Sequence, residues 1–492
     1  MDPESIDAVV EAHGLRTEED AEKRRKTVSQ RNISRGTEVL STVPLYAFPL
    51  RANEGSNVQV ETEEVLAETR CMYCFGQLPV RRPRCSQCRQ AQYCSTKCLS
   101  QHWTQRHHSE CGTLNYVAID TAAGKLKPEY RPLLRMAAGL TQALVAGKQH
   151  RQIQAWARLV SHRDQHPAYV LRQYAEIASV LSTHAKAIGL PSIDKDATVT
   201  MLCRAGCNNF MAPVIEDNVL CTNGVVCSPL LSLLFNHSCR PNCVISYSDG
   251  RLSLRAIENI EAGQELTIAY ADAMLPRTAR RERLENVYFF ACTCAKCGNT
   301  DCGRIDQLMD RESPQPPKQL SADLTQLPEI APWVSCAIGL LLHCISGTVT
   351  SAQVEKECLC AISDLPSREM SFAAFGYWRE RQDECRGSDD GNARLWACAA
   401  SQYVLAFYAL NYPPSHPMLG LQCLTTAALS WNALVACGPT EPQCKALALT
   451  RSRITSLAHA ARSLLQVSSL HCSSVVSQVT LLLDQLDQES QS

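Results

Sequence analysis

The sequence predicts an α+β fold in parts: a strand-rich half, interrupted by a cysteine-dense segment and by helices, followed by an all-helical tail. Three observations predict it. Eight cysteine and histidine residues at pairwise spacing fall between Cys71 and Cys111. Short strand patterns punctuated by Gly224, Gly250 and Gly263 surround the stretch Asn236-His237-Ser238-Cys239-Arg240-Pro241-Asn242-Cys243. From Trp333 onward, apolar and small residues recur at helical spacing with no strand pattern among them. A chain of 492 residues is too long for one ordinary core, so several domains are expected. The expected division is 1–70 and 201–291 for the strand core, 71–111 for the cysteine-dense segment and 112–200 for a helical insert. A second cysteine group follows at 292–303, then a proline-bearing linker at 304–330 and the helical tail at 331–492.

Composition narrows the function classes. The charged fraction is 20% and the apolar fraction 45%, which is globular. The formal net charge is −1, so overall charge selects no partner. From Ile305 on, 12 Lys and Arg face 18 Asp and Glu, which sets an acidic tail against a basic front half. The first residues, Met1-Asp2-Pro3-Glu4-Ser5, lack the apolar run of a secretion signal, and no membrane span is expected. With 27 cysteines and no secretion signal, metal thiolates and buried free thiols are expected, not disulfides.

In chain order, residues 1–23 read as a charged, partly helical lead. Lys23-Arg24-Arg25-Lys26 reads as a solvated face or a strand edge. Val28 to Pro49 is strand-like, with a turn at Ser34-Arg35-Gly36, and 51–63 is polar and loop-like. Then come Cys71-x2-Cys74, Cys85-x2-Cys88, Cys94-x3-Cys98 and His107-x3-Cys111. A zinc ion takes four such ligands in a tetrahedron, so four pairs make two closed sites. Closed sites leave no position for water and are structural. So short a segment has little core, and metal binding must supply its folding energy. Its arginines are offset by the thiolates, leaving a nucleic-acid role weak. Helices are expected over Arg131–Ala146, Gln152–Val160 and Tyr169–Ile188, with His162, His166 and His184 as core or surface residues. His102 and His108 are expected at the surface. Strands are expected over Asn218–Cys221, Cys243–Tyr247, Arg251–Ile257 and Glu265–Ala269, then a basic helix over Arg277–Glu285. Cys292-x-Cys294-x2-Cys297 wants a fourth ligand, and Cys239 is the natural candidate. In the tail, helices are expected over Trp333–Ser346, Ala352–Leu365, Ala393–Leu410, Leu419–Cys437, Gln443–Leu465 and Val475–Leu486. Cys336, Cys344, Cys358, Cys360, Cys398, Cys423 and Cys437 are expected as buried small apolar residues.

Together these residues resemble the SET and MYND domain protein-lysine methyltransferases. The resemblance is carried by Asn-His-Ser-Cys-x-Pro-Asn at 236–242, Cys-Asn-x-Phe at 207–210, Glu-Leu-Thr-Ile-x-Tyr at 265–270 and Cys-x-Cys-x2-Cys at 292–297. To these are added the early MYND-like finger and, in the tail, Tyr412-Pro-Pro-Ser-His-Pro. It implies a split SET β-fold with an inserted MYND zinc finger and helical insert, a post-SET zinc site and a tetratricopeptide-like C-terminal domain. It also implies three structural zinc ions. Cys71, Cys74, Cys94 and Cys98 would hold one, Cys85, Cys88, His107 and Cys111 the second, and Cys239, Cys292, Cys294 and Cys297 the third. The step from Cys98 to His107 is one residue longer than the family pattern.

The resemblance implies S-adenosylmethionine as methyl donor and a lysine of a histone or other protein as acceptor. Asn236, His237 and Asn208 would bind the donor and Phe290 would stack near its adenine. Tyr270 would be the catalytic tyrosine and Tyr288 would wall the lysine channel. The family places a glycine-containing loop beside the donor before the first strands. Here no glycine occurs between Lys23 and Gly36. That departure motivates an alternative reading, a catalytically weak or inactive adaptor that docks partner proteins. The remaining expectations are a monomer in nucleus and cytoplasm, with protein partners on the finger and the helical tail, and neither nucleic acid nor membrane as a partner.

Overall fold

A computed structural model describes residues 5–21, 24–49, 70–122, 130–187, 190–216, 219–311, 330–388, 390–438, 442–468 and 473–488. The loop expected at 51–63 lies outside them. The chain opens with helix Ile6–Ala12, capped by the Ser5 hydroxyl, and runs into the hairpin β1 (Leu15–Asp20) and β2 (Arg24–Ser29). Strands β3 (Glu38–Thr42) and β4 (Tyr46–Pro49) then part company. The first pairs with β9 (Arg251–Ala256) and through it with β8 (Cys243–Ser248). The second pairs with β6 (Val219–Cys227), which also carries β5 (Phe210–Glu216). Both sheets therefore combine strands from before and after the finger and insert, which is the split architecture expected. A short parallel pair, β7 (Asn236–His237) with β10 (Thr267–Ile268), forms a separate two-stranded sheet. The expected strand Glu265–Ala269 shrinks to these two paired residues.

The insert packs helices Arg131–Ala146, His150–Arg158, Ala168–His184 and Lys195–Gly206 on the strand core. Leu134, Trp156, Ile177 and Leu202 join Phe48, Val226 and Leu254 in one apolar cluster. The finger is fixed to the same core through close approaches that only glycine permits. A Cβ on Gly224 would lie 2.2 Å from the Phe75 ring, and one on Gly250 would lie 2.3 Å from Tyr73. Phe75 stacks on Tyr247 at 4.5 Å, and the Tyr247 hydroxyl donates to the Tyr73 carbonyl at 2.8 Å.

The tail is a helical bundle with its own core, centred on Trp333, Trp378, Tyr403 and Phe407. Trp378 and Tyr403 stack at 3.8 Å. Helices Pro332–Ile345, Ser351–Ile362, Gly391–Asn411, Pro417–Cys437 and Ser473–Gln488 match the expected segments closely. Four expectations need correction. The segment expected as one helix from Gln443 is two, Pro442–Ala446 and Arg451–Ser468. Phe372–Cys385 is a helix that periodicity did not show. The linker does not begin at 304, because helix Asp301–Met309 buries Ile305, Leu308 and Met309 in the bundle core. Cys360 is exposed and Cys336, Cys344 and Cys437 are half-buried; of the group, Cys358, Cys398 and Cys423 are buried. Pro417–Cys437 is long and apolar enough to cross a membrane, and it is the buried centre of this bundle.

Candidate active site and metal centres

Three clusters of soft ligands stand in the fold. Cys71, Cys74, Cys94 and Cys98 form one; Cys85, Cys88, His107 and Cys111 the second; Cys239, Cys292, Cys294 and Cys297 the third. Within each, the ligand atoms all lie within 4.8 Å of one another. Four sulfurs at about 2.3 Å from a zinc ion sit about 3.8 Å apart along a tetrahedron's edges. The Sγ–Sγ separations of 3.6 Å (Cys74–Cys94), 3.8 Å (Cys85–Cys111) and 3.7 Å (Cys239–Cys297) match that spacing, and none of these thiols is in a disulfide. The residues thus fit zinc. His107 Nε2 lies 3.5 Å from Cys88 Sγ and so faces the second cluster.

The long step from Cys98 to His107 has a physical resolution. Helix Thr96–His102 continues into a π-turn over Trp103–His107 before α-helix resumes at His108. A π-turn accommodates an extra residue within a helix. The extra residue is absorbed there, and His107 still meets Cys88.

Glu110, one turn on from His107, accepts a hydrogen bond from its Nδ1 at 3.2 Å. Burial pushes its carboxyl up, but the His107 hydrogen bond and the charges of Arg135 and His102 outweigh that and hold it at about 2. Such a carboxylate fixes the histidine tautomer and orients the ring toward its metal. His102 is a correction: it is fully buried, with its Nδ1 3.0 Å from the Tyr93 hydroxyl and its Nε2 3.5 Å from Glu110. His108 is exposed, as expected.

The third cluster adjoins the other predicted residues. Tyr270, Tyr288, Phe290 and Cys294 pack together around Cys239, Ala271, Leu284, Cys292 and Cys297. Tyr270 and Tyr288 have ring centroids 4.9 Å apart, and His237 lies 5.3 Å from Tyr270 and 6.0 Å from Phe290. The Tyr270 amide donates to His237 Nδ1 at 2.9 Å. An amide can only donate, so Nδ1 is the acceptor and Nε2 carries the proton. That Nε2 faces Cys239 Sγ at 3.2 Å. One imidazole therefore spans the tyrosine segment and the metal cluster. Both of its ring nitrogens are committed to these partners.

Desolvation pushes the Tyr270 phenol well above the usual tyrosine range; Tyr288 adds to this and Arg25 opposes it. Tyr270 is thus a neutral phenol. Its hydroxyl donates to the Phe235 carbonyl at 2.7 Å, which leaves its oxygen as an acceptor. Tyr288 is pushed up by burial too, and its hydroxyl reaches the Tyr270 carbonyl at 3.5 Å.

The amide of Asn236 donates to the Arg25 carbonyl at 2.6 Å and to Glu265 at 3.0 Å. Asn208 donates to the carbonyls of Arg204 at 2.8 Å and Val160 at 3.1 Å, and its own carbonyl accepts from Ser232 at 2.6 Å. The segment without glycine is strand β2. Its Arg25 guanidinium donates to the Leu233 carbonyl and its Thr27 hydroxyl to the Leu234 carbonyl at 2.5 Å. A hydrogen-bonded hairpin edge thus stands where the family pattern calls for a glycine loop. Of the two readings of the basic run, a solvated face or a strand edge, the strand edge holds: Arg25 lies half-buried in β2, and burial lowers its pKa, with Arg158 contributing.

Sequence reasoning read His162 and His166 as core or surface residues and did not place them beside the tyrosine segment. Both are half-buried, with rings 5.1 Å and 4.9 Å from that of Phe289, the residue between Tyr288 and Phe290. Phe289 and His162 both have positive φ, 60° and 48°. Strained backbone of this kind gathers at working sites, but nothing in the local sequence signals it.

Comparison with known proteins agrees with this geometry. The SET domain family profile matches residues 24–271, half of the chain. N-lysine methyltransferase SMYD2 of Homo sapiens is 29% identical over 296 residues, covering 57% of this chain and 59% of that protein. Histone-lysine N-methyltransferase SMYD3 of Mus musculus is 32% identical over 248 residues, covering 44% and 49%. Histone-lysine N-methyltransferase ASHR1 of Arabidopsis thaliana is 24% identical over 463 residues, covering 83% and 85%. The match thus spans about three-fifths of the length of the human relative.

Proposed function

This chain belongs to the SET domain family, in its SET and MYND branch, and from that premise we propose that it moves a methyl group from S-adenosylmethionine to the side-chain amine of a protein lysine. The observation that carries the reading is the neutral Tyr270 phenol, held with Tyr288 and Phe290 against His237 at the β7–β10 joint. The donor supplies an electrophilic methyl on a sulfonium, so the protein needs to supply alignment and an apolar approach, with little acid–base chemistry.

The acceptor must arrive as a neutral amine, yet a free lysine titrates near pH 10.4. A channel walled by Tyr270 and Tyr288 strips water from the ammonium and lowers that value. The oxygen of Tyr270, with its proton spent on Phe235, then accepts from the incoming amine. Phe290 offers a ring face, and Asn208, Asn236 and His237 border the donor. Three zinc ions in the clusters would hold the finger and the channel in shape. Histones are the first acceptors to try, since two of the relatives are named as histone-lysine methyltransferases. The reading extends to a monomer acting in nucleus and cytoplasm, with protein partners docking on the finger and the bundle.

The test is incubation of the full chain with methyl-labelled S-adenosylmethionine and core histones. Label is expected on lysine, and Tyr270→Phe should abolish it while donor binding by calorimetry persists. Labelling unchanged by that substitution would sink the mechanism.

A further inference from the structure

Helix Gly391–Asn411 of the bundle ends beside the catalytic segment. Tyr412, the next residue, donates from its hydroxyl to Asp272 Oδ1 at 2.6 Å. Asp272 is two residues beyond Tyr270. The same Oδ1 accepts from the Met274 amide at 3.0 Å, so this carboxylate oxygen pins the chain as it leaves Tyr270. A second tie lies next to the first. Lys296, between the third-cluster ligands Cys294 and Cys297, is 2% exposed. Its Nζ donates to the Ala273 carbonyl at 2.8 Å and to the Asn411 carbonyl and Oδ1 at 3.0 and 2.9 Å. All three ammonium donors are thus used, two of them on the bundle and one on the catalytic segment. Asn411 in turn donates to the Phe407 carbonyl at 2.9 Å, which anchors it to its own helix. Tyr412 is held by stacking on His416 at 4.2 Å.

We propose that the Asn411–Tyr412 corner of the C-terminal bundle positions the Tyr270 segment, so that the bundle is a working part of the transfer site and not only a docking scaffold. The proposal rests on the reading of Tyr270 as the catalytic tyrosine. The Tyr270 oxygen must meet a reacting amine, and a misplacement of about 1 Å at such a centre costs on the order of a hundredfold in rate. Residues 271–274 belong to no helix or strand, since β10 ends at Ile268 and the helix that follows starts only at Arg277; Ala271 packs on the third cluster, while Ala273 and Met274 are buried in the bundle's own core. The bundle supplies what that stretch lacks.

The test uses the full, zinc-loaded chain and reads hydrogen exchange over residues 268–275. Tyr412→Phe removes one hydroxyl and keeps the ring. Exchange there should rise about tenfold to a hundredfold, the range set by losing a hydrogen bond to a charged group, with other segments unchanged. Asp272→Asn keeps an acceptor oxygen and should preserve protection; Asp272→Ala should behave like Tyr412→Phe. Turnover on core histones should fall in Tyr412→Phe at unchanged KM for S-adenosylmethionine. Unaltered exchange in Tyr412→Phe overturns the proposal. So does a rise spread evenly over the whole chain, which would mark a merely structural contact. Should the wild type label no acceptor, the transferase reading falls while the exchange result still decides this one.

Discussion

Asp306 offers a measurable test of how the bundle is fastened to the SET core. It lies on helix Asp301–Met309 and receives both arms of Arg280, at 2.8 and 2.6 Å, with Arg280 fully buried and Asp306 2% exposed. Lys296 sits 3.9 Å from the same carboxylate. One anion thus serves two buried cations. At an effective dielectric constant of about 20, charges roughly 4 Å apart interact by about 4 kcal/mol. Breaking a buried pair from one side costs about 3–5 kcal/mol, because the partner stays charged and unmatched. Asp306→Asn keeps the shape and removes the charge, and should cost about 4 kcal/mol at pH 7.

The pH dependence follows from Lys296. Burial pulls its pKa down to about 8, with Asp306 opposing; unfolded, it titrates near 10.4. A base with a depressed folded pKa contributes stability that is full above its unfolded value and lost as pH falls through its folded one. Without Asp306 the folded pKa drops further, so the loss in Asp306→Asn should be larger at pH 7 than at pH 9. Urea unfolding followed by tryptophan fluorescence reads this, because Trp333 shares a core with Ile305 and Leu308. The paired change Arg280→Met with Asp306→Leu should recover most of the loss. A cost under about 1 kcal/mol for Asp306→Asn, or an equal cost at both pH values, would refute the account.

Two further outcomes are expected. Glu110→Gln should weaken zinc binding at the second cluster by about 10–100-fold, read by competition with a chromogenic chelator, while the other two clusters hold their metal. Gly139→Ala places a Cβ 2.2 Å from the ring of buried Tyr46. It should destabilise the insert by about 1–3 kcal/mol, read by urea unfolding.

The candidate metal ligands were legible because zinc chemistry is written in local spacing, and all twelve fall into three groups of four as the spacing and family pattern imply. Tyr270, Tyr288 and Phe290 were legible through motif alone. Their meeting depends on the parallel pairing Thr267↔Asn236, which joins residues 31 positions apart and leaves no periodic trace. Helix Lys195–Gly206 was missed because Thr198, Val199 and Thr200 form a β-branched run that lowers helix propensity, though the Asp194 cap was readable. Phe372–Cys385 carries Gly376 and four aromatic residues in its first half, which masks its period. The basic run was legible as a strand edge but not as a contact beside Asn236, because only tertiary contact turns its second arginine inward to Leu233.

The slots at Gly224 and Gly250 that receive Phe75 and Tyr73 also decide what kind of attachment the finger is. A leashed module explores a volume, and whatever it grips reaches a distant site at a concentration set by the leash. A finger keyed into the sheet by two aromatic rings works as a bracket. A protein clasped by it would hang at one offset from Tyr270, and geometry would choose among its lysines before chemistry did.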